Sequence, residues 1–250
     1  MKLNNDWDKV LEFEELIAEY CGSKYAVACD SNSNAIKLVL EYLNIKDTEI
    51  EIPKNTYASV PMQIIHSGNK PVFKDINWDG KYQLGNTGIY DAATAFYKGM
   101  YYDTIDESYM VLSFHIKKIL NIGTGGMILT NDEKFVKWAR PMIYDGRHID
   151  KMYNEDELEC IGYHMYMTPE DAEMGIYIFN TKILDYNENL QAIEQAKKIY
   201  TTPTKPYKFL FLNGRARYHR KYLLEIFQQS GLLNQTVWTN LDVSKLDPRQ

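Results

Sequence analysis

The sequence predicts an α/β fold: a mostly parallel sheet covered by helices on both faces, followed by a smaller C-terminal region. Three observations predict it. Short apolar runs alternate with helical repeats through about residue 145, the pattern of strands joined by helical crossovers. Polar or glycine-rich punctuation falls where each run ends. The chain has 250 residues, long for one ordinary domain and short for two large ones. The expected division is a large domain over 1–190 and a reduced α/β domain over 191–250.

The elements follow in order. The opening MKLNNDWDKVLEFEELIAEYCG is amphipathic and predicts a helix from Asp6 to Tyr20, stopped at Gly22. KYAVACD is a strand. SNSNAIKLVLEYLNI places Ala35, Leu38, Val39, Tyr42 and Leu43 at helical spacing, so 24–44 reads strand, polar turn, helix. IEI is a strand ended by Pro53, and a helix runs from near Tyr57 to Gly68. KPVFKDI is a third strand, and residues 77–88 read as loop. GIYDAATAF carries a strand end, YMVLSFH and GGMILTND are strands, and DEKFVKWARPMI is a helix with Pro141 near its end. From residue 150 the pattern changes. KMYNEDELE is loop, and Thr168 caps a long helix to Tyr200 that contains a break, with Pro169 at its first position. TTPTKP is a linker, YKFLFLN a strand and RARYHRKYLLEIFQQSG a helix.

Composition excludes several classes. Hydrophobic residues are 45% and charged residues 25%, as in soluble globular chains. The net charge is −6 without a long basic run, which argues against a nucleic-acid partner. No apolar run reaches the ~18 residues of a membrane span, and the first helix is too charged for a secretory leader. The three cysteines, Cys21, Cys29 and Cys160, fit no zinc spacing. Cys29 and Cys160 stand among apolar neighbours and are expected to be buried thiols, so the chain is placed in the reducing cytoplasm.

In parallel α/β sheets, ligands bind beyond the carboxyl ends of the strands. Four such ends carry unusual residues. Ser31 to Asn34, between strand and helix, offers a helix start, hydroxyls and amides to an anion; ordinary capping accounts for the same residues. Tyr57 presents a ring either to a planar ligand or to the core. Asp91 has only small residues after it in DAAT, so it suits either a close approach to a flat ligand or another helix cap. His115, Lys117 and Lys118 follow a buried strand, where a charge points into solvent or into a site. GTGG, Gly123 to Gly126, allows positive φ and a close backbone approach. Singly each signal is weak. Their order is phosphate seat, aromatic, carboxylate, then lysine with a glycine turn. Those are the parts that hold pyridoxal phosphate.

On these residues the sequence resembles the DegT/DnrJ-type sugar aminotransferases, which are fold-type I pyridoxal phosphate enzymes. SFHIKKILNIGTGGMILTND resembles the family's Ser-Phe-His segment, with the Schiff-base lysine on Lys118 and the phosphate-binding serine on Ser113. CDSNSNAIKL resembles the phosphate turn, with Asn32 where glycine is usual and Ser33 where threonine is usual. NTYAS places Tyr57 over the cofactor ring. YDAATAF places Asp91 on the pyridine nitrogen and Thr94 near the ring oxygen. KPVFKDI and IGYHMYMTPEDAEMG match further segments, over roughly residues 10–200.

The resemblance implies a three-layer fold-type I large domain and a homodimer acting on small molecules. His164 would reach the partner subunit's cofactor. Glutamate is the expected donor, and a keto group on a nucleotide-linked sugar the expected acceptor. The chain also departs from the family. Thr124 stands where an acidic residue is usual, His164 replaces an asparagine, and Tyr166 replaces an arginine whose charge it cannot supply. The C-terminal region is shorter. Two alternatives stay open: a non-catalytic or regulatory pyridoxal phosphate binder, and a sugar dehydratase. Family dehydratases can carry histidine at the lysine position, so Lys118 favours transamination.

Overall fold

The structure is a computed structural model that describes residues 7–105, 107–152 and 154–183. All of them belong to one compact unit, Met1–Ala192. The expected linker, strand and helix beyond residue 200, and the end of the long helix before them, lie outside the described residues.

The strand–helix alternation gives α1 (Asp8–Cys21), β1 (Tyr25–Cys29), α2 (Asn32–Tyr42), β2 (Glu49–Pro53), α3 (Ser59–His66), β3 (Lys70–Lys74), β4 (Tyr82–Gln83) and β5 (Ile89–Asp91). A 3-10 turn over Met100–Asp103 leads to β6 (Tyr109–Ser113), β7 (Gly126–Thr130), α4 (Glu133–Ile143) and α5 (Pro169–Ile178). Local chemistry sets the boundaries. Gly22 takes φ 87°, which only glycine adopts cheaply, and its N–H returns to the Ala18 carbonyl at 2.8 Å. Ser31 caps α2 by accepting from the Asn34 N–H, and Asp132 caps α4 by accepting from those of Lys134 and Phe135. Thr168 caps α5 with Pro169 first, as expected, but regular helix ends at Ile178 and a π-type turn follows over Phe179–Ile183.

The main sheet has the order β1-β7-β6-β5-β4. It is mixed, which corrects the expectation of a mostly parallel sheet. β5 and β6 pair in parallel, whereas β7 runs antiparallel between β6 and β1. The cause is the connection. No helix lies between Ser113 and Gly126, and a chain returning without a crossover pairs antiparallel. The loop expected over 77–88 also holds the two-residue strand β4, antiparallel to β5. Two residues are too few to show a period of two in sequence. β2 and β3 form a separate parallel pair, and the Gly85 N–H donates to Glu51 O of β2 at 2.9 Å.

Both faces of the sheet are covered. Ala26, Ala28, Met110, Leu112, Met127 and Leu129 point to one side, with Phe13 and Ile17 of α1 and Ala172 of α5. Val27, Cys29, Tyr109, Val111 and Ile128 point to the other, with α2, α3 and α4. This explains why the strands read as unbroken apolar runs. Leu38, Val39, Ile64 and Phe135 are fully buried, each contributing about 1.5–3 kcal/mol. One charged pair crosses the core. Arg140 of α4 makes a bidentate contact to Glu14 of α1, which also accepts the Ala28 N–H at 2.6 Å. Nothing in the periodicity marks that pair. Cys21 and Cys29 are buried, while Cys160 is only half-buried against Met142 Sδ at 3.4 Å, which corrects its expected burial. Among the described residues no helix is long and apolar enough to cross a membrane.

Candidate active site

β1, β5 and β6 end along one edge of the sheet, and the polar residues after them converge there. Asp91 closes β5 and is 4% exposed. Its Oδ1 accepts from the Ala93 N–H at 3.0 Å and from Asn32 Nδ2 at 3.3 Å. Its Oδ2 accepts from the Tyr82 hydroxyl at 2.8 Å. Burial raises the carboxyl above its ordinary value, against the Tyr82, Ala93 and Asn32 hydrogen bonds and the Lys118 charge. Lys118 follows β6 and is half-buried, while Lys117 is exposed. Burial lowers the Lys118 amine below an ordinary lysine, and the Asp91 charge opposes that shift. Both groups line one cleft with Thr56, Tyr57, Trp78, Tyr82, Ala93 and Thr94, enclosing about 260 Å³ of space that includes open solvent.

Other expected site residues fall near this cleft in different states. Tyr57 lines it and is 77% exposed. Thr94 donates to the Gly80 carbonyl at 3.0 Å. Ser33, in the first turn of α2, shares a hydrogen bond of 2.6 Å with Ser59 at the start of α3, so two hydroxyls and two helix N-termini meet at one point. Asn32 is buried, and its amide is spent on Asp91 and on Val111 O at 3.2 Å. Ser113 is half-buried at the end of β6. His115 is exposed, and its Nδ1 accepts the Lys117 N–H at 3.4 Å. His164 is apart from the cleft lining. It is exposed and pairs with Asp145 at 2.9 Å, beside Tyr166, whose ring packs on Trp7 and Tyr144.

The glycine turn closes the edge. Gly123 and Gly125 take φ 106° and 132°, as a left-handed turn requires. Gly126 opens β7 opposite both Cys29 and Ser113. A Cβ there would stand 2.3 Å from the Ser31 carbonyl carbon and 2.5 Å from Asn32 N. The close approach is therefore to the start of α2, and Thr124 adds a hydrogen bond to Asp30 O at 3.2 Å. Nothing in the sequence marks Tyr82, Thr56 or Ser59 individually. Tyr82 lies between Gly80 and Gly85 in a stretch without periodicity, and the other two read as ordinary loop and cap residues.

The residues fit pyridoxal phosphate. A buried carboxylate and an amine of lowered proton affinity share one cleft, and paired hydroxyls stand at two helix starts. Among the described residues no group of three or more His, Cys, Asp or Glu is placed to hold a metal. The sequence pattern of the DegT/DnrJ/EryC1/StrS aminotransferase family matches residues 2–84 and 85–238. The chain belongs to that family. It is similar to uncharacterized protein MJ1066 of Methanocaldococcus jannaschii, with 28% identity over 70% of this chain and 58% of that protein. It is 26% identical to the GDP-perosamine synthase of Caulobacter vibrioides, over 67% of this chain and 55% of the relative. With the UDP-4-amino-4,6-dideoxy-N-acetyl-beta-L-altrosamine transaminase of Campylobacter jejuni the identity is 24%, over 77% and 61%. The chain thus spans 55% to 61% of these relatives' lengths. Among solved structures, the Psychrobacter cryohalolentis aminotransferase matches with a TM-score of 0.55 and 20% identity, over 69% of this chain and 56% of that one. A Brucella abortus DegT/DnrJ/EryC1/StrS aminotransferase matches at 0.55 and 18%, over 79% and 66%. The fold of this family member is the α/β fold of the fold-type I aminotransferases.

Proposed function

We propose that this chain is a pyridoxal phosphate-dependent aminotransferase that moves an amino group from an amino acid, glutamate by resemblance, to the keto group of a nucleotide-linked sugar. The observation that carries the reading is the shared cleft of Asp91 and Lys118. Lys118 would hold the cofactor's aldehyde, Asp91 its ring nitrogen, Tyr57 a ring face, and Thr94 the neighbourhood of the ring oxygen. Ser33 and Ser113, with the α2 start at Asn32, would seat the phosphate. When bound, the cofactor supplies an electron sink for the charge left as a proton leaves the donor's α-carbon.

The chain's own work is proton handling and placement. Burial lowers the proton affinity of the Lys118 amine below that of an ordinary lysine, which suits this group to take and return that proton. Asp91, tied on both oxygens, is a carboxyl group fixed in place in the cleft lining. The substrate class is supported by relatives that are named as sugar-nucleotide enzymes. We further infer a cytoplasmic homodimer in which His164 faces the partner's site. Exposure of His164 and the three free thiols support that arrangement. The division at residue 190 belongs to the same reading.

The test is covalent trapping. Borohydride reduction after incubation with pyridoxal phosphate is expected to fix the cofactor on Lys118, and Lys118→Ala is expected to lose it. A label on another lysine, or none, refutes the assignment. Glutamate is then expected to convert the bound cofactor to its amine form. A bound cofactor that ignores every amino donor supports the non-catalytic binder instead.

A further inference from the structure

Asp91 is held by more than the cofactor reading requires. The Tyr82 hydroxyl has one hydrogen, and it goes to Asp91 Oδ2 at 2.8 Å. Tyr82 Oη and Thr56 Oγ also form a short hydrogen bond. With the tyrosine proton already placed, Thr56 is the donor in that bond. The result is a directed relay, Thr56 to Tyr82 to Asp91. Oδ1 is filled by Asn32 and by the Ala93 N–H. A carboxylate accepts about four hydrogen bonds, and three are made here. The remaining position is on Oδ2, the oxygen that Tyr82 already occupies. Tyr82 is 7% exposed, and it lines the same cleft as Asp91 and Lys118.

We propose that Tyr82, backed by Thr56, is a positioning residue that fixes the Asp91 carboxylate and sets how strongly its Oδ2 holds a ligand's N–H. It rests on the reading that Asp91 faces the ring nitrogen of pyridoxal phosphate. The placement is made by the short hairpin of β4 and β5, in which Tyr82 lies directly opposite Asp91. A hydroxyl donating to a carboxylate draws off charge and lowers its proton affinity. Thr56, donating in turn to Tyr82, strengthens that effect along the chain. Among the described residues, the titratable groups that act on Asp91 are Tyr82 from β4 and Lys118 from the loop after β6. Lys118 acts through charge alone, whereas Tyr82 acts through a fixed bond. A core tyrosine without this role would stabilise the fold and leave the carboxyl's titration unmoved.

The experiment has two arms, each on the full chain. In the cofactor-free protein, the Asp91 carboxyl is followed by carbon-13 NMR against pH, with Asp91→Asn to assign the signal. Tyr82→Phe is expected to weaken the acid about tenfold, raising its midpoint by about one pH unit. Thr56→Val, which keeps Tyr82 in place, is expected to give a smaller shift in the same direction. Equal midpoints in the three folded proteins overturn the proposal. In the second arm, ring-nitrogen-15 pyridoxal phosphate is bound to each protein. Tyr82→Phe is expected to move the nitrogen resonance toward its unprotonated position, because a more basic Oδ2 draws the shared proton. An unmoved resonance overturns the proposal. If the carboxyl midpoints follow the expected order and no protein binds the cofactor, the relay is upheld and the aminotransferase reading fails.

Discussion

Replacing Gly126 by alanine tests whether the glycine turn is there for the fold of the site. The added Cβ would lie 2.3 Å from the Ser31 carbonyl carbon, 2.5 Å from Asn32 N and 2.6 Å from Ser31 O. Ordinary van der Waals separation is about 3.5–4 Å, so backbone must retreat by about 1 Å. Neither side retreats easily. Gly126 is paired on both flanks, to Cys29 and to Ser113. The start of α2 is anchored by Ala35, Ile36, Leu38, Val39 and Leu40, all fully buried. Overpacking of this kind costs about 1–3 kcal/mol, and with backbone on both sides we expect about 3 kcal/mol. Gly68→Ala is the control. A Cβ there meets nothing within 4 Å, and its positive φ alone costs about 1–2 kcal/mol. Urea unfolding followed by tryptophan fluorescence reads both, as a lower midpoint at unchanged slope. Because the displaced segment carries Ser31 to Asn34, Gly126→Ala is also expected to weaken pyridoxal phosphate binding, while Gly68→Ala leaves it intact. A Gly126→Ala protein within about 0.5 kcal/mol of the parent refutes the reasoning.

Three further outcomes follow from the packing. Arg140→Met strands the Glu14 carboxylate, which is 3% exposed, and is expected to cost about 3–5 kcal/mol in the same unfolding assay; Glu14→Leu added to it restores much of the loss. Asp132→Ala removes the α4 cap together with the acceptor for the Tyr42 and Tyr109 hydroxyls, and is expected to cost about 2 kcal/mol or more. His148 lies between Asp156 at 2.7 Å and Glu159 at 2.9 Å, and Asp156 foremost raises it above an ordinary histidine. Its contribution to stability is therefore complete below the unfolded histidine value and lost as pH rises through the folded one. Proton NMR of the ring is expected to show an elevated midpoint that falls in Asp156→Asn.

Much of this architecture is legible from short patterns. Each strand with both faces buried shows as an apolar run, and Gly22, Ser31, Asp132 and Thr168 mark helix ends through chemistry that acts within a few residues. Asp91 and Lys118 are found because strand ends gather at one edge and because their order resembles a family pattern. What stays hidden depends on distant pairings. The direction of β7 is set by the geometry of residues 114–125, β4 is too short for any period, and Glu14 meets Arg140 across 126 positions. Asn32 shows the limit well. Its place in the phosphate turn is readable, yet its side chain turns inward to Asp91, 59 residues away.

The mixed sheet is what brings these parts together. β1 and β6 each pair antiparallel with β7, so they run in the same direction, and β5 runs parallel to β6. The carboxyl ends of β1, β5 and β6 therefore share one edge, with Asp91 and Ser113 at the strand ends and Asp30 to Asn34 and Phe114 to Lys118 just beyond. β7, running the other way, brings its amino end to that edge. That end must pass against the α2 start, where only a residue without a Cβ fits. A parallel β7 would present Thr130 there and carry the glycine turn to the far side. The reversal thus explains why a lysine segment and a glycine turn adjoin in sequence. One connection without a helix carries Lys118 out of the sheet and returns Gly126 against the turn that holds Ser33 and Asn32.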